Sequence, residues 1–383
     1  MGCASCAPPD THRRNQVKRT LVAVTAALSL LGSPAPAQAQ PPAPVRGADV
    51  SSLAKSEAYG GVYRDAHGRR GDPLRIMRDA GVNHIRLKVW VNPADGYNDK
   101  AHVVAVAKRA KALGLKLLVD FHYSDSWADP GKQNKPAAWA ALTYDQLRQA
   151  VYDHTFDVLN TLKRQGATAD LVQIGNELNG GLLWPDGQWD AWPGMAGLLN
   201  SGYDAVKAVS RHTKVVIHLA NGGDNGLYRW WFDNAATHGI RYDVIGLSYY
   251  PYWHGTLEAF QANLNDVAAR YGKPVVVAET GYPFTTADKD GWANLVYSAE
   301  PYPGYPATPQ GQAAFLAKMY EIVRAVPNGL GLGLFYWEAT WTGVPGNGWD
   351  PADPSSGNAW ENQALFDYAD RALPGLRTLG GGR

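Results

Sequence analysis

The stretch LVQIGNELNGGLLWPDG, residues 171–187, shows how this chain is organised. It begins with a short apolar run that is typical of a buried β-strand, and Asn176 and Glu177 follow directly. A glycine-rich loop then carries Trp184, which either extends a ligand-binding surface or anchors the loop. A strand that is apolar along its length and ends in a carboxylate predicts a buried sheet whose strand ends meet a polar cavity.

Seven further apolar runs occur along the chain, and segments with helical periodicity separate them. In residues 100–113 and 145–165, apolar residues recur every three to four positions. The eight runs span 46–50, 83–90, 115–122, 171–177, 214–220, 244–249, 274–279 and 331–338. This alternation predicts a (β/α)8 TIM barrel that forms a single catalytic domain. A doubly wound sheet is the less favoured alternative, because no G-x-G-x-x-G turn follows the first run.

Composition narrows the classes of ligand. The chain has 383 residues, is 45% hydrophobic and carries a formal charge of +1, so it has no basic excess for nucleic acid or an anionic membrane. Its 14 Trp and 20 Tyr against 8 Phe favour amphipathic ligands, because these side chains combine an apolar face with a polar group. We expect no nucleic-acid partner, and we expect the protein to be a monomer.

The amino-terminal segment has the pattern of a secretory signal. Basic residues precede an apolar run at 21–31, and Ala37 and Ala39 form an A-x-A cleavage site. The basic residues are Arg13, Arg14, Lys18 and Arg19. The apolar run is too short to remain as a membrane anchor. We therefore predict a signal peptide at 1–39, a catalytic domain at 40–383, and a secreted, extracellular protein without a membrane segment in its mature form.

Both cysteines of the chain, Cys3 and Cys6, lie inside this predicted leader. The exported domain would then contain no cysteine. This excludes a disulfide framework and a thiol nucleophile for the catalytic domain.

Two glutamates end predicted strands that lie across the barrel from each other. Glu177 closes the fourth run, and Glu279 closes the seventh, in VVVAETGYPF. In a TIM barrel such strand ends form the active site. Paired carboxylates with different pKa values hydrolyse glycosidic bonds, and a retaining enzyme places them about 5 Å apart. The alternative is that each glutamate only pairs with a neighbouring arginine, but the presence of both, with Asn176, favours catalysis.

Six motifs together resemble a known family. They are GADVSSL, GVNHIRLKVWVNP, DFHYSDSWADPGKQ, QIGNELNGGLLWPDG, AETGYPF and FYWE, in order between Gly47 and about Asp367. They resemble glycoside hydrolase family 53, the arabinogalactan endo-β-1,4-galactanases, within clan A of the retaining glycosidases. The resemblance implies a polysaccharide substrate, and hydrolysis of the β-1,4-galactan backbone of type I arabinogalactan with retention through a glycosyl-enzyme intermediate. Two departures from the family pattern, Gly281 and Leu178–Asn179, are expected to alter the shape of the binding subsites.

The resemblance also implies roles for individual residues. Glu177 would be the general acid/base and Glu279 the nucleophile. Asn176 would bind the sugar 2-hydroxyl, Tyr249 would orient Glu279, and Arg86 would keep Glu279 ionised.

A second group of residues is expected to contact substrate directly. Trp337 would form the floor under the sugar at the cleavage point. Core packing or support of other residues is the alternative for the remaining wall residues. These are Trp90, His122, Asp125, Trp127 and His218.

DKDGWAN, residues 288–294, resembles the start of a calcium loop, although the glutamate of an EF-hand is missing. The resemblance to family 53 implies a structural Ca²⁺ that ties the loops after strands seven and eight together. The alternative is a solvated acidic loop, and no cofactor is expected for catalysis. The expected ligands are Asp288, Asp290, Asn294 and the carbonyl of Trp292, completed by Asn358 or Glu361.

Two other functions remain open from the sequence. A retaining endo-β-glycanase could act on another β-1,4-polysaccharide such as mannan, xylan or glucan, because a hydroxyl difference in a pocket is worth only ~1–3 kcal/mol. A non-catalytic barrel that binds polysaccharide is less favoured, because both carboxylates are present.

Overall fold

The computed structural model describes residues 44–382, and the predicted leader at 1–39 lies outside this range. Eight parallel strands close into a barrel, as the sequence predicts. The barrel strands are β1 (Val45–Asp49), β2 (His84–Val89), β3 (Lys116–Phe121), β4 (Leu171–Ile174), β5 (Lys214–Leu219), β6 (Val244–Ser248), β7 (Val275–Thr280) and β8 (Gly331–Tyr336). Within residues 44–382, no helix combines the length and the apolar composition that crossing a bilayer requires.

Helices alternate with the strands and surround the barrel. In the described part of the chain they are α1 (Leu53–Ala58), α2 (Pro73–Ala80), α3 (Lys100–Ala112), α4 (Tyr144–Arg164), α5 (Trp192–Val209), α6 (Asn225–Thr237), α7 (Leu257–Tyr271), α8 (Pro309–Arg324) and α9 (Pro374–Leu379). The helices predicted at 100–113 and 145–165 therefore differ from α3 and α4 by one residue or less at each end. A capping box between Thr143 and Gln146 starts α4, which explains its sharp beginning.

The barrel closes where β1 pairs with β8. Val45 is opposite Gly333 in this parallel pair, and the other edge of β1 pairs with β2. Gly333 has a φ of 132°, and a Cβ at this position would lie 2.1 Å from the carbonyl oxygen of Val45. Only glycine allows the two strands to approach at this point.

The interior of the barrel changes from apolar to polar along the strand direction. An apolar layer near the amino ends of the strands consists of Val45, Leu118, Leu171, Val216, Val244, Val276 and Phe335. Two residues further along three of these strands stand Asp120, Gln173 and His218, all fully buried. Since side chains two apart in a strand share a face, these polar groups form the next interior layer. The apolar layer therefore supports a polar layer at the carboxyl ends of the strands.

The fourth strand ends earlier than the sequence predicts. β4 stops at Ile174, three residues before Glu177. Gly175 and Glu177 have positive φ values, 92° and 49°, which end the extended conformation. This turn aims the Glu177 side chain at the mouth of the barrel.

Candidate active site

Glu177 and Glu279 line one cavity of about 360 Å³ at the carboxyl ends of the strands. Glu279 stands in β7, and Glu177 follows β4 on the other side of the barrel. The other lining residues include His122, Trp127, Asn176, Tyr250, Trp253, Trp337 and Trp360. Two carboxyl groups and several indole faces thus meet in one cleft.

Glu279 is buried, and both of its carboxyl oxygens accept hydrogen bonds from neighbouring side chains. One of its oxygens, Oε1, lies 2.7 Å from Nη2 of Arg86. The other oxygen, Oε2, accepts a hydrogen bond of 3.1 Å from the Tyr250 hydroxyl. Both contacts favour the ionised carboxylate, because each becomes stronger when the acceptor carries charge.

Tyr249 was expected to orient Glu279, but its side chain makes no hydrogen bond to the Glu279 carboxyl group; only its backbone amide donates to the Glu279 carbonyl oxygen, at 2.9 Å. Its hydroxyl donates to the carbonyl oxygen of Gly255 at 2.8 Å, and its ring stacks on Phe260 of α7 with a centroid distance of 4.1 Å. Successive residues of a strand point to opposite faces, so Tyr249 points towards the helices. Tyr250 points into the barrel and is the tyrosine that contacts Glu279. The prediction was wrong by one position along the chain, just after β6 ends at Ser248.

Arg86 holds Glu279 but is not available to substrate. Its side chain is only 1% exposed, and its Nε, Nη1 and Nη2 atoms all donate to side-chain oxygens. Its acceptors are Asp49, Asp120, Gln173, Asn176 and Glu279. The expected effect on Glu279 is therefore consistent with its position, whereas a direct sugar contact is not.

Glu177 has a different environment. It is half-buried at the cavity, and its Oε1 accepts a hydrogen bond of 2.7 Å from the hydroxyl of Ser248. None of the described Lys, Arg or His side chains forms an ion pair with it. Burial, and secondly the negative charge of Glu279, raise the pKa of Glu177 to about 8.

The two pKa values diverge through Arg86. Burial raises the pKa of Glu279 to about 7, while the charge of Arg86 opposes that rise. The first proton lost by the pair therefore comes from Glu279, and its charge then helps retain the proton on Glu177. The arrangement provides one ionised and one protonated carboxyl group, which glycosidic bond cleavage requires.

Asn176 directly precedes Glu177, borders the same cavity and is nearly buried. Its Oδ1 accepts a hydrogen bond of 3.1 Å from Arg86, and its Nδ2 donates to the carbonyl oxygen of Ala128 at 2.9 Å. An amide nitrogen has two hydrogens, so one remains for a ligand. This donor is where a sugar hydroxyl would bind.

Three of the expected wall residues border the cavity: His122, Trp127 and Trp337. The Trp127 and Trp337 rings are 5.7 Å apart, and the Trp127 Nε1 donates to the carbonyl oxygen of Trp349 at 2.6 Å. Trp337 also contacts Trp360 edge to face at 4.7 Å. The indoles brace one another and present a rigid aromatic surface.

The other three expected wall residues do not border this cavity. Trp90 is buried behind His122 and donates to its Nδ1 at 3.1 Å. His218 is fully buried beneath Asn176 and has no exposed surface for a ligand. Asp125 accepts hydrogen bonds from two backbone amides, at positions 92 and 137, and thereby joins two loops. In this structure the three side chains therefore hold neighbouring residues and loops in place.

The sequence profile of Glycosyl hydrolase family 53 matches residues 45–379. This chain belongs to that family. The resemblance seen in the sequence motifs is thereby confirmed, and the chain is a glycoside hydrolase.

Two relatives of this family 53 chain match it over most of their length. It is 37% identical to the endo-β-1,4-galactanase of Bacillus subtilis (strain 168), over 88% of this chain and 85% of the relative. It is also 37% identical to the arabinogalactan endo-β-1,4-galactanase of Thermothelomyces thermophilus, over 86% of this chain and 97% of the relative.

Solved structures agree with the barrel. The GH53 catalytic domain of Ignisphaera aggregans superposes with a TM-score of 0.84 at 43% identity, covering 88% of this chain and 95% of that domain. A fungal β-1,4-galactanase superposes with a TM-score of 0.77 at 35% identity, covering 87% and 98%.

Gly281, a departure from the family pattern, has a packing function in this chain. A Cβ at this position would lie 2.8 Å from the Trp360 ring. Trp360 contacts Tyr250 edge to face, with a centroid distance of 5.4 Å. A larger residue at 281 would therefore displace the indole that supports Tyr250.

Sequence reasoning missed several residues of the site. Tyr250, Trp253 and Trp360 line the cavity, and Ser248 contacts Glu177. Strand alternation applied from Ser248 onward would have found Tyr250. Trp253 and Trp360 belong to loops, where no local pattern predicts the direction of a side chain. Trp184 anchors its own loop, since its Nε1 donates to the carbonyl oxygen of Gly180 at 2.7 Å.

The structure brings three of the expected calcium ligands together. Asp288, Asp290 and Glu361 each place a carboxylate oxygen within 4.8 Å of the others. Oε2 of Glu361 and Oδ1 of Asn294 are buried and have no hydrogen-bond partner among the described residues. Trp292 lies in the same turn, and its backbone amide donates to Asp290. Unpartnered oxygens beside three carboxylates fit a hard cation such as Ca²⁺.

The Asn358 side chain, one of the two expected ligands from the second loop, already forms hydrogen bonds at both its oxygen and its nitrogen. Its Oδ1 accepts from the Trp360 amide at 2.9 Å, and its Nδ2 donates to the carbonyl oxygen of Trp341 at 2.8 Å. Its backbone amide donates to Oδ2 of Asp290 at 2.6 Å. Asn358 therefore holds a carboxylate of the cluster in place, and Glu361 is the residue of this loop that faces the cluster.

Proposed function

We propose that this family 53 chain is a secreted endo-β-1,4-galactanase that hydrolyses the backbone of β-1,4-galactan, including type I arabinogalactan. The main support is that Glu177 and Glu279 line one cleft, and that only Glu279 is paired with a cation, Arg86. The names of the relatives from Bacillus subtilis and Thermothelomyces thermophilus support galactan as the polymer. The leader pattern at 1–39 supports secretion, and the protein acts as a monomer.

The reaction we propose proceeds with retention in two steps. The ionised Glu279 attacks the anomeric carbon while Glu177 donates its proton to the departing glycosidic oxygen. Glu177 then removes a proton from water, which attacks the glycosyl-enzyme ester and releases Glu279. Arg86 and Tyr250 stabilise the carboxylate of Glu279 before attack and after its release.

Substrate binding relies on the aromatic cleft. Trp337 supports the pyranose at the cleavage point, and Trp127 forms the adjacent wall. Trp253, 52% exposed at the border of the same cavity, offers a further indole face. The free amide hydrogen of Asn176 binds the sugar 2-hydroxyl, a contact that strengthens in the transition state.

A structural Ca²⁺ site joins the loops that follow β7 and β8. Asp288, Asp290 and Glu361 supply carboxylate oxygens, and Asn294 supplies its unpartnered Oδ1. The ion would offset the repulsion of three close carboxylates and hold the two loops together. It has no part in bond cleavage.

A substrate panel tests the proposed function. Reducing ends released from galactan, arabinogalactan, mannan and xylan are measured with the mature protein. We expect the highest kcat/KM on galactan, and a preference for mannan or xylan would favour the alternative endo-glycanase. Glu279→Ala should abolish turnover on every polymer, whereas Asp145→Asn, at an exposed position, should change nothing. Binding to galactan without turnover by the unaltered protein would favour a non-catalytic barrel.

A further inference from the structure

Three buried polar side chains link the two catalytic carboxyl groups beneath the cleft. Gln173, His218 and Ser248 stand on the neighbouring strands β4, β5 and β6, and each is fully buried. None of them borders the substrate cavity. Any effect they have on the reaction must therefore pass through the groups they contact.

The amide of Gln173 has only one possible orientation. Its Oε1 lies 2.8 Å from Nε of Arg86, which can only donate. Its Nε2 lies 3.1 Å from Oδ1 of Asp120, and an ionised carboxylate can only accept. Burial raises the pKa of Asp120, but the charge of Arg86 and the interactions with His122 and His218 together outweigh it, so that the pKa is lowered overall and the group is ionised. The amide oxygen therefore faces Arg86, and the amide nitrogen faces Asp120.

This orientation determines which nitrogen of His218 carries the proton. The same Nε2 of Gln173 lies 2.9 Å from Nδ1 of His218. Burial, and secondly the charge of Arg86, lower the pKa of His218 well below its ordinary value, so the ring is neutral and has a single N–H. Because the amide donates, Nδ1 must accept, and the proton of His218 is on Nε2.

The direction of this hydrogen bond is passed on to Glu177. Nε2 of His218 lies 2.8 Å from Oγ of Ser248, which therefore accepts from the imidazole. The Ser248 hydroxyl is then left to donate to Oε1 of Glu177 at 2.7 Å. Oε1 accepts a hydrogen bond in either protonation state of Glu177. The acidic proton then resides on Oε2, which receives no hydrogen bond from the described residues.

A competing arrangement exists beside His218. Oδ1 of Asn176 lies 3.0 Å from the same Nδ1 and would accept a proton from it. With Nδ1 protonated, Ser248 would donate to Nε2 and would accept the proton of Glu177 on Oε1. The acidic proton would then point into the protein instead of towards the substrate. The donor of Gln173 decides between the two arrangements.

We propose that Gln173, His218 and Ser248 form a directional hydrogen-bond relay that keeps the catalytic proton of Glu177 on Oε2, towards the glycosidic oxygen. They are positioning residues, and the inference rests on the proposed role of Glu177 as general acid. The relay begins at Arg86, so one guanidinium group orients the nucleophile directly and the acid indirectly. The titratable and charged groups around His218 are Arg86 from β2, Asp120 and His122 from β3, His254 after β6, and Glu177 after β4.

The tautomer of His218 is measurable without any activity assay. Protein labelled with nitrogen-15 histidine is examined by NMR, and the spectrum of His218→Gln identifies the His218 signal among the 10 histidines of the chain. We expect a protonated Nε2 and an unprotonated Nδ1. In Gln173→Met, which removes the amide donor, the proton should move to Nδ1. A protonated Nδ1 in the unaltered protein would overturn the relay, whatever the enzyme's substrate.

Leaving-group dependence tests the effect on Glu177. Gln173→Met and Ser248→Ala should lower kcat on galactan by about 10-fold or more, within the contribution of general acid catalysis. Both should lower kcat/KM, which reports the first step, far less on an aryl β-galactobioside with an acidic phenol, because departure of the phenol needs little protonation. Ser248→Thr, which keeps the hydroxyl, should restore most of the galactan activity.

Matched controls separate the relay from general damage. Thr280→Val removes another buried hydroxyl, which stands beside Glu279 and has no hydrogen-bond partner among the described residues. It should affect both substrates equally and only slightly. Equal losses on galactan and on the aryl glycoside in Gln173→Met and Ser248→Ala would contradict the relay. An unaltered protein inactive on galactan, with the expected His218 tautomer, would contradict the proposed function instead.

Discussion

Nη2 of Arg86 lies 2.7 Å from Oε1 of Glu279, whereas Glu177 receives only the neutral hydroxyl of Ser248 at 2.7 Å. Of the two carboxyl groups in this cleft, only that of Glu279 forms an ion pair with Arg86. This difference places the negative charge on Glu279 and the proton on Glu177. It determines how activity and stability should depend on pH.

The pH profile of kcat/KM should be bell-shaped. Activity rises as Glu279 ionises and falls as Glu177 loses its proton above about pH 8. Ser248→Ala should move the alkaline limb to higher pH, because the lost hydrogen bond stabilises the ionised form of Glu177. Initial rates on galactan across pH measure both limbs. A limb that moves to lower pH in this variant would contradict the assignment.

Stability should also depend on the protonation of Glu177. Its pKa is raised to about 8 in the folded protein, so the folded state binds this proton more tightly than the unfolded state. The stabilising effect of the proton is complete at low pH and is lost as pH rises from the ordinary glutamate range towards 8. Glu177→Gln should therefore raise Tm more at about pH 8 than at about pH 5. Equal shifts of Tm at both pH values would contradict the raised pKa.

The two adjacent tyrosines should differ sharply in their effect on catalysis. Tyr250→Phe removes the hydroxyl that donates to Glu279 and should lower kcat about 10-fold or more, since a hydrogen bond to a charged group is worth ~1.5–3 kcal/mol. Tyr249→Phe removes only a bond to the Gly255 carbonyl and should leave kcat within about 3-fold, while lowering Tm by a few degrees. Steady-state kinetics and thermal melts separate the two effects. A larger kcat loss in Tyr249→Phe would reverse our assignment.

The products of early turnover should have the β configuration. A glycosyl-enzyme intermediate on Glu279 inverts the anomeric carbon twice, so the first product retains its configuration. Proton NMR of the reaction, recorded before mutarotation, detects the new reducing end. An initial α anomer would mean that water attacks directly and that Glu279 acts as a base.

Removal of calcium should lower stability more than it lowers the intrinsic rate. A chelator should reduce Tm, because Asp288, Asp290 and Glu361 would then repel one another without a cation. Asp290→Asn should lower Tm in calcium and abolish the response to the chelator. Asp353→Asn, at an exposed aspartate outside the cluster, provides the control and should keep that response. A chelator that leaves Tm unchanged would show that the carboxylates hold no ion.

Local patterns predicted much of the architecture. The eight apolar runs coincide with β1 to β8, because a buried parallel strand needs a continuous apolar segment wherever it lies. Their boundaries were less accurate. β4 ends at Ile174 because Gly175 and Glu177 turn the backbone, and a run of sequence letters does not show such φ values.

The candidate site was predicted unevenly. Glu177 and Glu279 were found because both follow apolar strands, and the carboxyl ends of barrel strands meet at one rim. Tyr249 was expected from the family resemblance, but it is the adjacent Tyr250 that contacts the Glu279 carboxyl group. His218 was expected in the wall of the cleft, although it is fully buried below it. How deep a side chain lies inside a barrel depends on the residues of the neighbouring strands. The sequence of one strand does not show it.

The sequence by itself determined the barrel and its two acidic strand ends. The apolar periodicity of each strand and helix is a local pattern, and the order of the strands follows from the order of these patterns along the chain. Only the tertiary structure decided which partner each carboxyl group has. Arg86 from β2 reaches Glu279 of β7, and Ser248 of β6 reaches Glu177 after β4. These contacts join residues 193 and 71 positions apart in the chain. Proton affinity depends on such long-range neighbours, so the chemical difference between two identical side chains arises from packing.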